Sequence, residues 1–145
     1  MWLLALVVGL VEQMIVGTGV DLAGIDRTML AIDGPRGDRF RERVFCPAEV
    51  AYCESRGRGR GSSYAARFAA KEAVMKALGV GWGKDAGWQD IEVCRQETGR
   101  PDVQLRGAAA ATAQRRGITT IHLSLSHTEG SAVAFAVAEA LPKTV

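Results

Sequence analysis

The chain is poor in the residues that build cross-links and metal cages, with three cysteines and two histidines in 145 positions. Cys46, Cys53 and Cys94 are odd in number and fall into no CxxC or Cys/His ligand spacing, which argues against a disulfide framework and against a zinc site. Long apolar runs are equally scarce. The one that occurs, residues 1–11, is about half the length a membrane-spanning helix needs. It also lacks the basic n-region and small-residue cleavage site of a secretory signal. We therefore expect no membrane association, an N-terminal extension over 1–13 that stands outside the working chain, Met14 as the working start, and a cytoplasmic domain over 14–145. An excess of charge of one sign is nearly absent overall, 18 Lys and Arg standing against 16 Asp and Glu for a net of +2.

What is present is an apolar content of 48%, enough for one core but not two, and neither repeats nor low-complexity stretches interrupt it. Charge is uneven along the chain. Between Arg27 and Arg60 stand eight arginines against five acids, a mildly basic flank that suits an acidic partner or a phosphorylated ligand as well as a simple solvated loop.

Residues 15–22 (IVGTGVDL) are β-branched and glycine-punctuated, which predicts a buried strand ending on Asp21, with glycines that admit close approach to the backbone. From Ile25 to Glu54 the breaks at 33–37 (DGPRG) and Pro47 predict two short helices with a turn between them. A loop over 55–61 follows. Ser62 or Ser63 is expected to cap a long helix that runs to Leu78 and stops at Gly79. A hairpin is predicted around 97–101 (ETGRP), then an alanine-rich helix over 108–116 ending at Gly117. Two last strands, 118–125 and 132–138, alternate with period two and leave Ser126 and His127 in the loop between them. This order implies an α+β domain, a mainly antiparallel sheet packed against a long helix.

At about 100° per residue, Ala65, Ala69, Glu72 and Lys76 share one stripe of the long helix, and Tyr64, Phe68 and Met75 share a neighbouring stripe assigned to the core. Taken alone, Glu72 and Lys76 read as an exposed i,i+4 pair, Asp21 as a turn former, and His127 and His122 as hydrogen-bonded structural histidines. Taken together, a strand Asp and a helix Glu are the donors a hard ion such as Mg²⁺ uses alongside water and substrate phosphates. A lysine one turn on could then meet phosphate charge. Gly17-Thr18-Gly19 lacks dinucleotide or Walker spacing, and Ser124 and Ser126 lack the context of a nucleophile elbow. The Arg56-Gly57-Arg58-Gly59-Arg60 loop fits a module binding RNA or another polyanion, but no aromatic stacking pattern accompanies it.

Three segments in order carry a more specific signal: residues 15–22 with Arg27 following, residues 67–79 (RFAAKEAVMKALG), and residues 123–127 (LSLSH). They resemble the small, single-domain class of 4′-phosphopantetheinyl transferases, the holo-[acyl-carrier-protein] synthases, over about residues 14–140. Residues 40–45 (FRERVF), Pro47-Ala48-Glu49 and Gly99-Arg100-Pro101 also resemble the family's middle portions.

The resemblance implies transfer of the 4′-phosphopantetheine arm of coenzyme A to a serine of apo-acyl carrier protein, with a role in fatty acid biosynthesis; carriers of polyketide or peptide synthases are the alternative acceptors. It implies a homotrimer with coenzyme A sites at the subunit interfaces. By it, Asp21 and Glu72 hold Mg²⁺, Lys76 neutralises phosphate, and Arg67, Phe68, Ser126 and His127 line the coenzyme A pocket. Arg27, with Arg36 and Arg39, meets the acidic carrier helix. The serine proton goes to Glu72, a metal-ordered water or His127, with the carboxylate or its water ranked first. Nucleic acid is not an expected partner, and the Arg56–Arg60 loop is left unassigned.

Overall fold

A computed structural model describes residues 14–141, so the expected N-terminal extension lies outside the described residues. Strand β1 (Met14–Gly24) leads into three helices, α1 (Ile25–Asp33), α2 (Gly37–Val44) and α3 (Pro47–Glu54). The long helix α4 (Arg60–Leu78) follows, then a hairpin of β2 (Ile91–Arg95) and β3 (Pro101–Leu105). Helix α5 (Gly107–Arg115) and strands β4 (Ile118–His127) and β5 (Ser131–Ala140) complete the order. The strands form two antiparallel sheets, β1-β5-β4 and β2-β3. The expected α+β architecture is therefore the one observed.

Helix α4 lies directly on the three-stranded sheet, and small residues on both sides permit it. A Cβ on Gly17 would stand 2.0 Å from the carbonyl oxygen of Ala77, and one on Gly19 1.9 Å from that of Ala73. Strand β5 answers with Ala132, Ala134, Ala136 and Ala138, all fully buried. Any larger side chain there would lift the helix away from β1. A second apolar cluster, Ile32, Val44, Phe45, Cys53 and Tyr64, joins α1, α2 and α3 to the start of α4.

Several local expectations are corrected. Strand β1 runs on to Gly24, three residues past Asp21, and of its 11 residues only Gly19 and Ala23 are buried. Two helices were expected where three form, because Pro47 opens a helix of its own; proline is tolerated at a first helical position, where its missing N–H is not needed. Gly59, not a serine, precedes α4, with no side-chain cap bond; Ser62 lies within the first turn, its hydroxyl donating to Gly59 O at 3.1 Å. Ser126 and His127 are the last residues of β4, not loop residues.

The alternation of β5 holds, but its large side chains face away from the helix. Val133, Phe135 and Val137 pair with Leu22, Val20 and Thr18 of β1 and with Ser126, Ser124 and His122 of β4, making an outer face on which Leu22 is 70% and Val20 53% exposed.

Candidate active site

The bulge in β1 between Ile15 and Gly17 precedes a regular register that puts Asp21 opposite Ala134, on the helix side of the sheet. Because the glycines bring α4 close, Lys76 reaches the strand. Its Nζ donates to Val20 O at 2.8 Å and lies 3.1 Å from Asp21 Oδ1. Glu72, one turn earlier, shares a cavity of about 440 Å³ with Asp21, Arg27, Thr28, Phe40 and Phe68. Its carboxyl is held above the usual range, first by burial and then by the negative charge of Asp21, with Lys76 opposing. A carboxyl whose ionisation is disfavoured by a second acid beside it, with an ammonium drawn in next to them, suits a cation.

That donor set suits Mg²⁺. Both carboxylates are hard oxygen donors, and among the described residues no group of three or more His, Cys, Asp or Glu converges. A metal here would keep positions for water and for phosphate oxygens, as Mg²⁺ prefers.

A second cavity, of about 230 Å³, opens at the same end of the sheet and is lined by Arg56, Arg67, Arg95, Tyr52, Ser126 and His127 among others. Three guanidinium groups surround one phenol. The Cζ of Arg67 lies 4.0 Å from the Tyr52 ring centroid, and those of Arg56 and Arg95 each lie 5.4 Å from it. Arg67 is 3% exposed, and its Nε has no hydrogen-bond partner among the described residues. A buried guanidinium with an unmet donor, lining a polar cavity with two further arginines, is chemically suited to a multiply charged anion.

The strand register fixes how the two cavities relate. Ala23 of β1 pairs with Ala132 of β5, which pairs in turn with His127 of β4. Neighbouring strands are about 4.8 Å apart, so the carboxylate end of β1 and His127 are separated by about 10 Å across the sheet.

The structure thus brings together Asp21, Glu72, Lys76, Phe68 and Arg27 in or beside one cavity, and Arg67, Ser126 and His127 in the other. Arg67 and Phe68, adjacent in the chain, face different cavities. Arg36 and Arg39 are exposed and line neither. Of the unassigned basic loop, Arg56 joins the anion cavity, whereas Arg60 is committed to Asp33 at 2.9 Å and Glu54 at 2.8 Å. Sequence reasoning missed Tyr52 and Arg95; no local signal marks either, since one lies on α3 and the other ends β2.

A further cavity of about 130 Å³ adjoins the other side of Glu72, lined by Met75, Lys76, Val80, Gly81, Trp82 and Trp88. Among the described residues no helix is long and apolar enough to cross a membrane.

Comparison with known proteins extends this picture. Residues 17–143 match the 4′-phosphopantetheinyl transferase superfamily. A holo-[acyl-carrier-protein] synthase of Solibacter usitatus (strain Ellin6076) is 48% identical over 126 residues, covering 87% of this chain and 99% of that protein. The crystal structure of the corresponding synthase from Neisseria meningitidis superposes with a TM-score of 0.78 at 30% identity, over 86% of this chain and 98% of that one. The synthase from Bacillus anthracis, solved in complex with CoA (3′,5′-ADP), superposes with a TM-score of 0.72 at 34% identity, over 88% of this chain and 98% of that one.

Proposed function

The chain belongs to the holo-[acyl-carrier-protein] synthase family of 4′-phosphopantetheinyl transferases, enzymes that move phosphopantetheine from coenzyme A to a carrier protein, and we propose that its two cavities hold one coenzyme A molecule between them. The observation that carries this reading is that the two cavities open at one end of one sheet, the β1 backbone beside Asp21 lying two strand spacings, about 10 Å, from that of His127, which lines the arginine cavity. A molecule with a pyrophosphate and, across a ribose, a separate phosphomonoester matches that layout. The domain is proposed to be 14–145.

In this reading the pyrophosphate lies at Asp21, Glu72 and Lys76, and the phosphomonoester lies at Arg56, Arg67 and Arg95, beside Ser126 and His127. Phe40 and Phe68 offer an apolar wall beside the reacting phosphate. Asp21 and Glu72 would hold Mg²⁺, which would supply charge neutralisation at the pyrophosphate. The carrier serine hydroxyl attacks the β-phosphorus; the new serine O–P bond forms as the bond from that phosphorus to the bridging oxygen breaks, and adenosine 3′,5′-bisphosphate leaves. Lys76, a half-exposed ammonium able to shift from Asp21, meets the charge that develops on the leaving phosphate. The serine proton passes to Glu72 or to a water that it orients. Most of the rate comes from positioning and charge.

Arg27, at the mouth of the carboxylate cavity on α1, is proposed to meet the acidic carrier, with Arg36 and Arg39 adding longer-range attraction. The outer sheet face supports a homotrimer. Leu22 lines the carboxylate cavity and Ser126 the arginine cavity, and both pair with Val133 on that face. A neighbouring subunit covering Val20, Leu22 and Phe135 would bury an apolar patch and wall both cavities at once. Fatty-acid carriers are the proposed acceptors, in a cytoplasmic setting.

The deciding experiment is mass spectrometry of an apo-acyl carrier protein incubated with this protein, coenzyme A and Mg²⁺. A gain of about 340 Da, the phosphopantetheine expected on one hydroxyl and abolished by EDTA, is the predicted result. An unmodified carrier under conditions where a control synthase modifies it would refute the reading.

A further inference from the structure

Lys71 has no exposed surface, and neither has its partner Glu49. The lysine lies on the core stripe of α4, where apolar side chains belong, and all its donors are used. Its Nζ is 2.6 Å from Glu49 Oε1, donates to Trp88 O at 3.0 Å, and also donates to Ile91 O. Glu49 is equally engaged, Oε1 accepting from Cys46 N–H at 2.8 Å and Oε2 from Val93 N–H at 3.0 Å. One ion pair therefore ties the start of α3, the middle of α4 and the first residues of β2 to the short turn Trp88–Asp90.

Such a pair adds little net stability over well-packed apolar residues of the same size, because desolvation offsets the attraction. Its use is to be sought in what it fixes. The segment it holds carries Trp88, whose ring stacks on Phe68 with centroids 5.3 Å apart and planes 20° apart. Phe68 lines the carboxylate cavity on one side of Glu72, and Trp88 lines the smaller cavity on the other. Lys71 is the residue immediately before Glu72. We propose that the Lys71–Glu49 pair is a positioning device for coenzyme A, holding the Trp88–Phe68 stack as the partition between the two cavities that flank Glu72. Neither member of the pair lines a cavity or touches substrate. Both act through Trp88, so they are positioning residues. This role rests on the coenzyme A reading given above.

The test compares wild-type protein, the double variant Lys71→Met/Glu49→Gln, and Trp88→Leu. The double variant removes both charges while keeping volume and an amide oxygen for a backbone N–H. Trp88→Leu leaves the ion pair intact and removes the partition. Coenzyme A affinity is read by calorimetric titration, and KM and kcat by carrier modification. The expected result is a coenzyme A Kd and KM raised about 10-fold in both variants, with kcat of the double variant within about twofold of wild type. A wild-type Kd in Trp88→Leu overturns the proposal, whether or not the double variant folds. So does a folded double variant that loses kcat while its Kd is unchanged, since that marks a purely structural pair. A wild-type protein that binds coenzyme A but modifies no carrier counts against the transferase reading alone, because the affinity comparison still decides the positioning role.

Discussion

The ammonium of Lys76 lies 3.1 Å from Asp21 Oδ1, held there by a strand whose glycines let the helix backbone come down onto it. The lysine thus occupies the flank of the carboxylate pair that a divalent cation and a phosphate would share. Glu72, lacking such a direct partner, bears the electrostatic cost: burial and Asp21 both favour its protonated form.

From that asymmetry follows the behaviour of Glu72→Gln. A carboxyl held more tightly protonated in the folded chain than in the unfolded one removes stability as pH rises from its ordinary value through its raised one, and the deficit persists at neutral pH. Replacing it with a neutral amide should therefore raise Tm in EDTA at pH 7, while at pH well below 4 the two proteins should converge. Activity should move the other way, falling by about 10²-fold or more if the proposed metal site loses one of its two carboxylates. In wild type the rate should also fall as acid protonates Glu72 in competition with the metal, and added Mg²⁺ should push that fall to lower pH. A variant with unchanged turnover at ordinary Mg²⁺ would remove Glu72 from the metal site. Thermal melts with and without Mg²⁺, beside initial rates, make the measurement.

Arg67→Met addresses the other cavity. Hydrogen bonds to charged groups contribute about 1.5–3 kcal/mol each, so loss of this guanidinium should raise KM for coenzyme A by about 10- to 100-fold. The penalty should shrink sharply for a coenzyme A analogue lacking the phosphomonoester, because Arg67 would then have nothing to bind. An equal loss on both substrates would mean that Arg67 serves packing against Tyr52.

Much of this architecture is legible in the chain before any fold is known. Helix α4, its stop at Gly79 and the hairpin around Gly99 follow from local chemistry, whereas Asp21, Glu72 and Lys76, each ordinary on its own, are grouped by the family resemblance of the segments that carry them. The orientation of β5 follows from neither. A reader of residues 131–140 sees Val133, Phe135 and Val137 as the apolar rank, yet the alanines are buried, because the depth available beneath the sheet is set by Gly17 and Gly19 some 115 residues earlier in the chain. The arginine cavity was half visible for a related reason: Arg67 and His127 sit in motifs, whereas Tyr52 and Arg95 reach it only through tertiary packing.

The same close approach makes Gly19→Ala a sharp probe. Its Cβ would meet a backbone oxygen, which cannot rotate aside, so a destabilisation of about 3 kcal/mol is expected in denaturant unfolding. Since the clash pushes α4 from β1, the Lys76–Asp21 contact should loosen as well, and the surviving folded fraction should need more Mg²⁺ for half-maximal rate. Unaltered stability would contradict the contact between strand and helix.

His127→Ala should cost less than loss of Glu72, about 10²-fold at most if the imidazole helps move a proton. Were the defect confined to KM for coenzyme A, His127 would be a binding residue of the arginine cavity and nothing more. The pH–rate profile separates these outcomes, because removal of an acid–base group changes its shape and removal of a contact does not.

Phe135→Asp tests whether one chain suffices. Phe135 is 46% exposed on the outer sheet face, between Val20 of β1 and Ser124 of β4, one register step from Asp21 but on the opposite face of the sheet. An aspartate there is tolerated by an isolated subunit but is costly in an apolar interface, where an unpaired carboxylate would be buried. The expected outcome is a monomer by light scattering, with unaltered secondary structure and most of the activity lost, because Leu22 and Ser126 would no longer have a neighbour to close the cavities they line. A monomer of undiminished activity would show that each site is complete within its own chain, and a stable trimer would place the subunit contact on another face.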